Sequence, residues 1–406
     1  MLATAAAVAA AVAAATLSGC SPVSAAASPA SPSASGHPRV AVPAALHLPA
    51  VERFDVPATF SVTGGTLVSV LVSGPSTGDA LAGHLDAAAT SWTSDTPPTP
   101  GTDYQVSATA NSDGTVSTLH GSFTVTTPPA SATAWYWVTP ATGTTVGVNA
   151  PLVIRFNKDV ADRAAVERAL TVASTTPVVG AWHWINAREV HFRPQVAWPA
   201  HSRIQLDAAL SGVRVGPAAW TTLSTTVDLT VGDVHLTKVD GQRHTLTLYV
   251  NGNAVGTWPT SLGRPQFATR SGSYIVLDKQ PSLRMTSCSA QITCDKANPN
   301  YYDLVVYNDV RLTWSGTFIH AAPWSVGAQG VSNVSHGCVN LSPAHAAAYY
   351  AQAHYGDLVT VTGTIRGPAD LLANGDPGMA DWNTTWTAWV AGSATGTPVT
   401  TAQLGS

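Results

Sequence analysis

Short alternating runs, each closed by a turn signal, constrain this chain more than any other feature. Phe60-Ser61-Val62-Thr63, Val68-Ser69-Val70-Leu71-Val72, Tyr104-Gln105-Val106-Ser107-Ala108 and Ser122-Phe123-Thr124-Val125 alternate side-chain character, and Gly, Pro, Asp or Asn separates them. A period of two sends successive side chains to opposite faces of a strand, so one face can be buried while the other stays wet. Residues 44–128 therefore read as a small β-sandwich. A Thr/Pro/Ala break at 126–133 ends it, and residues 132–231 repeat the logic. Strand-like runs there are Leu152–Phe156, Ala181–Trp184, Glu189–Pro194 and Arg203–Leu206, and Asp162 is placed to cap one or two helical turns ending near Ala169. Trp182, Trp184 and Trp198 suit either a glycan platform or a buried core. Core is favoured, because an indole brings a large apolar area inside.

A third unit spans 232–364. It opens with an alternating run over 244–250, followed by Asn251-Gly252, the strongest short hairpin signal. Its one convincing helix covers 342–351. In the remaining extension, 365–406, Trp382, Trp386 and Trp389 recur at i, i+4, i+7. That spacing predicts one helix capped by Asp381 and stopped by Gly392, with the tryptophan stripe packed on the third unit. The fold class is mainly all-β. A net charge of −4 on 406 residues, only 10% of them charged, indicates neither a nucleic-acid surface nor an acidic tail.

The chemistry concentrates in Ser335-His336-Gly337-Cys338-Val339-Asn340, downstream of an isolated His320. A thiol titrates near ~8.5, so a nucleophilic cysteine needs an imidazole or aligned N–H groups nearby. Gly337 lets the chain turn tightly enough for consecutive N–H groups to face an oxyanion. A zinc site is the competing reading of His and Cys together. The chain has no Cys-x-x-Cys and no His-Glu-x-x-His, so no metal and no cofactor is expected here.

His320, fifteen intervening residues, then Ser335-His336-Gly337-Cys338 resembles the signature of the L,D-transpeptidase (YkuD) catalytic domain. The flanks 319–330 and 333–340 are similar to its actinobacterial members. The resemblance covers residues from about 130 onward well and the preceding 80 or so more loosely. It implies two immunoglobulin-like β-sandwich modules followed by a YkuD-type β-rich catalytic domain with one or two short helices. It implies an enzyme that joins two peptidoglycan stem peptides. The third-position diaminopimelate carbonyl of a donor tetrapeptide passes to the cysteine, D-alanine leaves, and an acceptor amine takes the acyl group. Under it Cys338 is the nucleophile and His320 the general base, with the Ala321 carbonyl orienting the His320 ring. The N–H groups of His336, Gly337 and Cys338 hold the oxyanion. The His336 side chain either shapes the loop or is simply structural. Tyr302, Met285 and Trp324 line the substrate pocket, with Ser335 and Asn340 supporting the loop. Carbapenem-type β-lactams are the expected inhibitors, acylating Cys338.

Other readings stay in view. A sortase wants an arginine soon after its cysteine, and papain-like or NlpC-like hydrolases place cysteine before histidine. An L,D-carboxypeptidase or a non-catalytic wall-binding lipoprotein are the alternatives.

Residues 1–20 are Ala/Val-rich and end in Leu17-Ser18-Gly19-Cys20, the pattern of a lipoprotein signal peptide with Cys20 lipidated. No Lys or Arg precedes the run, so its basic segment is expected upstream of Met1. Residues 21–43 read as a disordered Ala/Ser/Pro tether reaching at most ~75 Å. The expectation is an exported monomer, lipid-anchored on the outer face of the cytoplasmic membrane, facing the cell wall. In that oxidising setting Cys288 and Cys294 can close a small disulfide loop, leaving Cys338 free. Pairing of Cys338 with either of them would silence the enzyme.

Overall fold

The computed structural model of the chain describes residues 43–75, 80–367, 369 and 380–405. The signal over 1–20, its Cys20, and nearly all of the tether fall outside them.

The first sandwich packs two four-stranded sheets. One runs Ala45–His47, Thr59–Thr63, Ser91–Ser94, Gly83–Leu85, and the other Val51–Glu52, Thr115–Val125, Asp103–Ser112, Thr66–Ser73. Alternation does the sorting. Phe60 and Val62 turn inward with Trp92, Tyr104, Val106 and Phe123, and Phe60 stacks on Trp92 at 4.8 Å.

The second sandwich is built from two five-stranded sheets whose core holds Trp182, Trp184 and Trp198. Asp162 caps the helix Arg163–Arg168 by accepting from the Ala165 N–H at 2.9 Å. Each sheet gains its last strand from the C-terminus. Val399–Thr400 pairs with Val179–Trp184, and Ala402–Gln403 runs parallel to Leu170–Ser174.

That placement corrects the expectation for the tail. The tryptophans do not lie on one helix packed against the third unit. The chain forms two short helices, Ala380–Asn383 and Trp386–Ala391, the second capped by Thr385 and ended at Gly392. Asp381 is not a cap. It is buried and accepts a hydrogen bond from His191 at 2.7 Å. Trp382, Trp386 and Trp389 converge instead on the Arg193 guanidinium of the second sandwich, at 4.7, 5.3 and 4.7 Å from the ring centroids. Trp389 Nε1 donates to the Ala181 carbonyl and Trp382 Nε1 to that of Asn149, both at 2.9 Å. Asn383 makes the link to the third unit, bonding both backbone groups of Ser273.

The third unit holds a five-stranded sheet, Asn253–Pro259, Thr245–Val250, His235–Asp240, Leu358–Thr362, Gly272–Ile275. Facing it is a four-stranded sheet, Asp278–Thr286, Asp303–Arg311, Phe318–Ala321, Val339–Leu341. Asn251 and Gly252 take φ of 49° and 82°, the positive pair a type I′ turn demands. The helix Pro343–Gln352 starts at the Ser342 cap and buries Ala346 and Tyr349 in the same core as Ile319, Val339 and Leu341. That packing braces the strand that carries His320 and the strand that Cys338 leads into.

Candidate active site

His320 lies on a strand, and Cys338 immediately precedes the parallel strand beside it. Phe318–Ala321 pairs with Val339–Leu341 so that His320 sits opposite Asn340, with Cys338 two residues before it. A cavity of about 530 Å³ opens above them. Met285, Tyr302, Trp324, Ser335, His336 and Asn340 line it together with His320 and Cys338, and Leu304, Val306 and Ala328 make part of its wall apolar. Residues scattered over 285–340 in the sequence thus meet at one surface.

His320 is 4% exposed. Its Nδ1 lies 2.9 Å from the Ala321 carbonyl oxygen. A carbonyl only accepts, so Nδ1 carries the proton and Nε2 keeps its lone pair. Burial lowers the imidazole pKa to about 4, against a smaller upward pull from the Ala321 bond. Cys338 is half-buried, and its Sγ lies 3.6 Å from the Gly316 carbonyl oxygen. Burial drives its thiol up to about 11, the Phe318 N–H pulls it down, and the charge of Asp309 adds to the rise. The resting pair is therefore a neutral thiol and a neutral base.

The loop before the cysteine is held from within. Ser335 Oγ donates to the Cys338 carbonyl at 2.7 Å and accepts the Gly337 N–H at 3.0 Å. The Gly337 N–H is thus occupied, which removes it from the expected oxyanion set. Among the described residues no acceptor is bonded to the N–H groups of His336 or Cys338. Gly337 has φ +125°, a conformation L side chains rarely adopt, so glycine is required at the bend.

His336 is tied by a residue that the motif did not point to. Arg264 Nη2 sits 2.8 Å from His336 Nε2 and 2.6 Å from Asn300 Oδ1. A guanidinium only donates, so Nε2 accepts and His336 is neutral. Burial, then the Arg264 charge, lower its pKa. Tyr302 packs on the same ring at 5.1 Å, and its phenol is pushed up to about 12 by burial and the nearby cysteine. Asn340 Nδ2 donates to Ser325 Oγ at 3.0 Å, and Gln329 braces Ser325 and the Ala322 carbonyl. Trp324 stands 58% exposed at the rim. Cys288 and Cys294 are joined, closing a loop upstream of Tyr302.

Sequence reasoning missed Arg264, the Gly316 carbonyl and Asp309. Ser325 and Gln329 lay inside the quoted 319–330 flank, whereas nothing near Arg264 or Asp309 marks them. Asp309 is 1% exposed with neither carboxylate oxygen hydrogen-bonded, and burial raises it to about 7, partly offset by Arg311. It sits at a register shift of its strand, beside Asn308 at φ +53°.

Known proteins resemble this chain in sequence. A family model for the L,D-transpeptidase catalytic domain matches residues 235–361, and one for a bacterial Ig domain matches 52–214. L,D-transpeptidase 2 of Mycobacterium tuberculosis is 34% identical over 340 residues, 84% of this chain and 81% of the relative. A solved LD transpeptidase in complex with imipenem aligns at 35% identity and TM-score 0.49, covering 56% of this chain and 97% of that one. A structure from Mycobacterium smegmatis aligns over the same shares at 39% identity and TM-score 0.46.

Proposed function

The chain belongs to the L,D-transpeptidase family, and from that premise we propose that it cross-links peptidoglycan stem peptides through a thioester on Cys338. The observation that carries this reading is that one cavity holds Cys338 and a His320 whose Nδ1 is committed to the Ala321 carbonyl. Nε2 then takes the thiol proton as sulfur attacks the diaminopimelate carbonyl of the donor tetrapeptide. The N–H groups of His336 and Cys338 meet the oxyanion, each strong donor contributing about 3–4 kcal/mol in comparable acyl transfers. Collapse breaks the bond to D-alanine, whose amine leaves with the His320 proton. The side-chain amine of a second stem attacks the thioester, gives its proton to His320, and the thiol is restored. A diaminopimelate–diaminopimelate link results.

The apolar wall of Leu304, Val306 and Ala328 suits the aliphatic part of the donor stem, with Tyr302, Met285 and Trp324 around it. A carbapenem brings a strained carbonyl to the same sulfur and acylates it. Export, a lipid on Cys20 and a monomer complete the proposal. Cys20→Ala is expected to release the protein from the membrane.

The test incubates residues 43–406 with disaccharide-tetrapeptide and reads the products by mass spectrometry. A dimer lighter by one D-alanine, absent in Cys338→Ala, is expected. D-alanine release without dimer would favour a carboxypeptidase. No reaction, with sacculus binding retained, would favour a wall-binding lipoprotein.

A further inference from the structure

Outside the cavity of the cysteine, two histidines and an aspartate converge where the third unit meets the second sandwich. His235 opens the strand His235–Asp240, His354 follows the helix Pro343–Gln352, and Asp357 precedes the strand Leu358–Thr362. The two strands are parallel neighbours with Leu236 opposite Leu358, so His235 and Asp357 stand side by side at their starts. Asp357 Oδ2 lies 3.1 Å from His235 Nδ1 and 3.9 Å from His354 Nδ1. One possible ligand atom from each of the three residues lies within 4.8 Å of the other two. The rings lie 5.5 Å apart at 46°.

A tetrahedral ion with bonds of about 2.0–2.2 Å sets its ligand atoms roughly 3.4 Å apart, a spacing the two measured distances bracket. Two imidazole nitrogens and one carboxylate oxygen suit zinc and its neighbours rather than calcium or magnesium, which take oxygen sets. Asp357 is 3% exposed, and its Oδ1 has no hydrogen-bond partner, so its charge is incompletely compensated. His354 Nδ1, 3.9 Å from Asp357 Oδ2, is beyond direct hydrogen-bond reach of it but within the spacing of two ligands on one ion. Exposed Asp233, 3.4 Å from His201, adds negative charge felt by both His235 and His354.

From this geometry we propose that His235, His354 and Asp357 bind one divalent ion of the zinc class, with a fourth position open to water. The turn that carries His354 and Asp357 is also a docking point between units. The Gly147 N–H donates to the Tyr355 carbonyl at 2.8 Å and the Asn149 N–H to that of Gly356 at 3.2 Å. An ion here ties a helix end, a strand start and this turn together, stiffening the junction. No local motif announces it, because His235 and Asp357 lie 122 residues apart.

The test uses the protein without a histidine tag and with Cys338→Ala, so that the active-site thiol cannot compete. It is stripped with a chelator and titrated with zinc chloride by calorimetry, and its thermal melt is followed with and without zinc. One equivalent per chain and a raised Tm are expected, with His354→Ala, a half-exposed and tolerant position, weakening binding at least about tenfold. An anomalous-scattering peak among the three side chains is the expected crystallographic result. Absence of saturable binding, stoichiometric binding unchanged in His354→Ala, or a peak elsewhere would overturn the proposal.

Discussion

At the cysteine, protons decide how the site operates near neutral pH. Burial holds His320 down to about 4 and Cys338 up to about 11, so no standing thiolate–imidazolium pair exists. Under the proposed mechanism the thiolate forms as His320 accepts the proton, and the imidazole stays neutral at any pH well above 4. Asp309 modulates this. Its folded pKa of about 7 lies above the ordinary 3.8, so the folded state keeps a proton that the unfolded chain loses between those values. Stability therefore falls as pH rises across that window. At about pH 8, Asp309→Asn is expected to gain roughly 2–4 kcal/mol in urea unfolding over the parent, with little gain near pH 4. The same change removes a negative charge that opposes ionisation of Cys338. Iodoacetamide should then alkylate Cys338 faster than in the parent above pH 7 and equally fast well below it. Equal rates at all pH values would mean that the Asp309 charge does not reach the thiol.

Among the elements, those governed by local chemistry matched the reading of the sequence. The Asn251-Gly252 turn, the Asp162-capped helix and the helix read over 342–351 each form where their signals stand. The tail did not follow its i, i+4, i+7 spacing. Thr385 takes an extended conformation to cap a new helix, and the indoles wrap one guanidinium supplied by a distant strand. Asp381 is claimed by His191, 190 residues away. Despite the cost of burial, the neighbouring Asp381 and Glu189 raise His191 from 6.5 to about 9. This contribution is fully present below 6.5 and is lost as pH rises through about 9. Stability is expected to drop by up to about 3 kcal/mol between pH 7 and 10, with faster proteolysis of the tail. A flat profile would show the clamp to be energetically silent. Trp389, 0% exposed, should cost about 3–5 kcal/mol when changed to Ala.

Over the whole molecule, the C-terminal residues finish a domain that began more than two hundred residues earlier, since Ser174 and Thr401 bond across a separation of 227. Removing residues 380–406 uncovers the edges of both sheets of the second sandwich and leaves Arg193 without its aromatic cover. Such a truncation is expected to melt earlier and aggregate through its open edges, as light scattering during a thermal ramp would detect. An unchanged melt would show that these added strands are dispensable. The sequence alone determined the all-β class, the strand periodicity, the Asn251-Gly252 turn, the Asp162 cap, and the ordered His320…Ser335-His336-Gly337-Cys338 signature. Each of these follows from interactions between residues close in the chain, or from a motif whose order is itself the information. Only the tertiary structure decided that Arg264 holds His336, that Asp309 is buried near the thiol, that Ser335 takes up the Gly337 N–H, and that the tail belongs to the second sandwich. Most of these contacts join segments tens to hundreds of residues apart, and the Ser335–Gly337 bond depends on how one bend is drawn. Burial and charge pairing of that kind exist only after the sheets have packed.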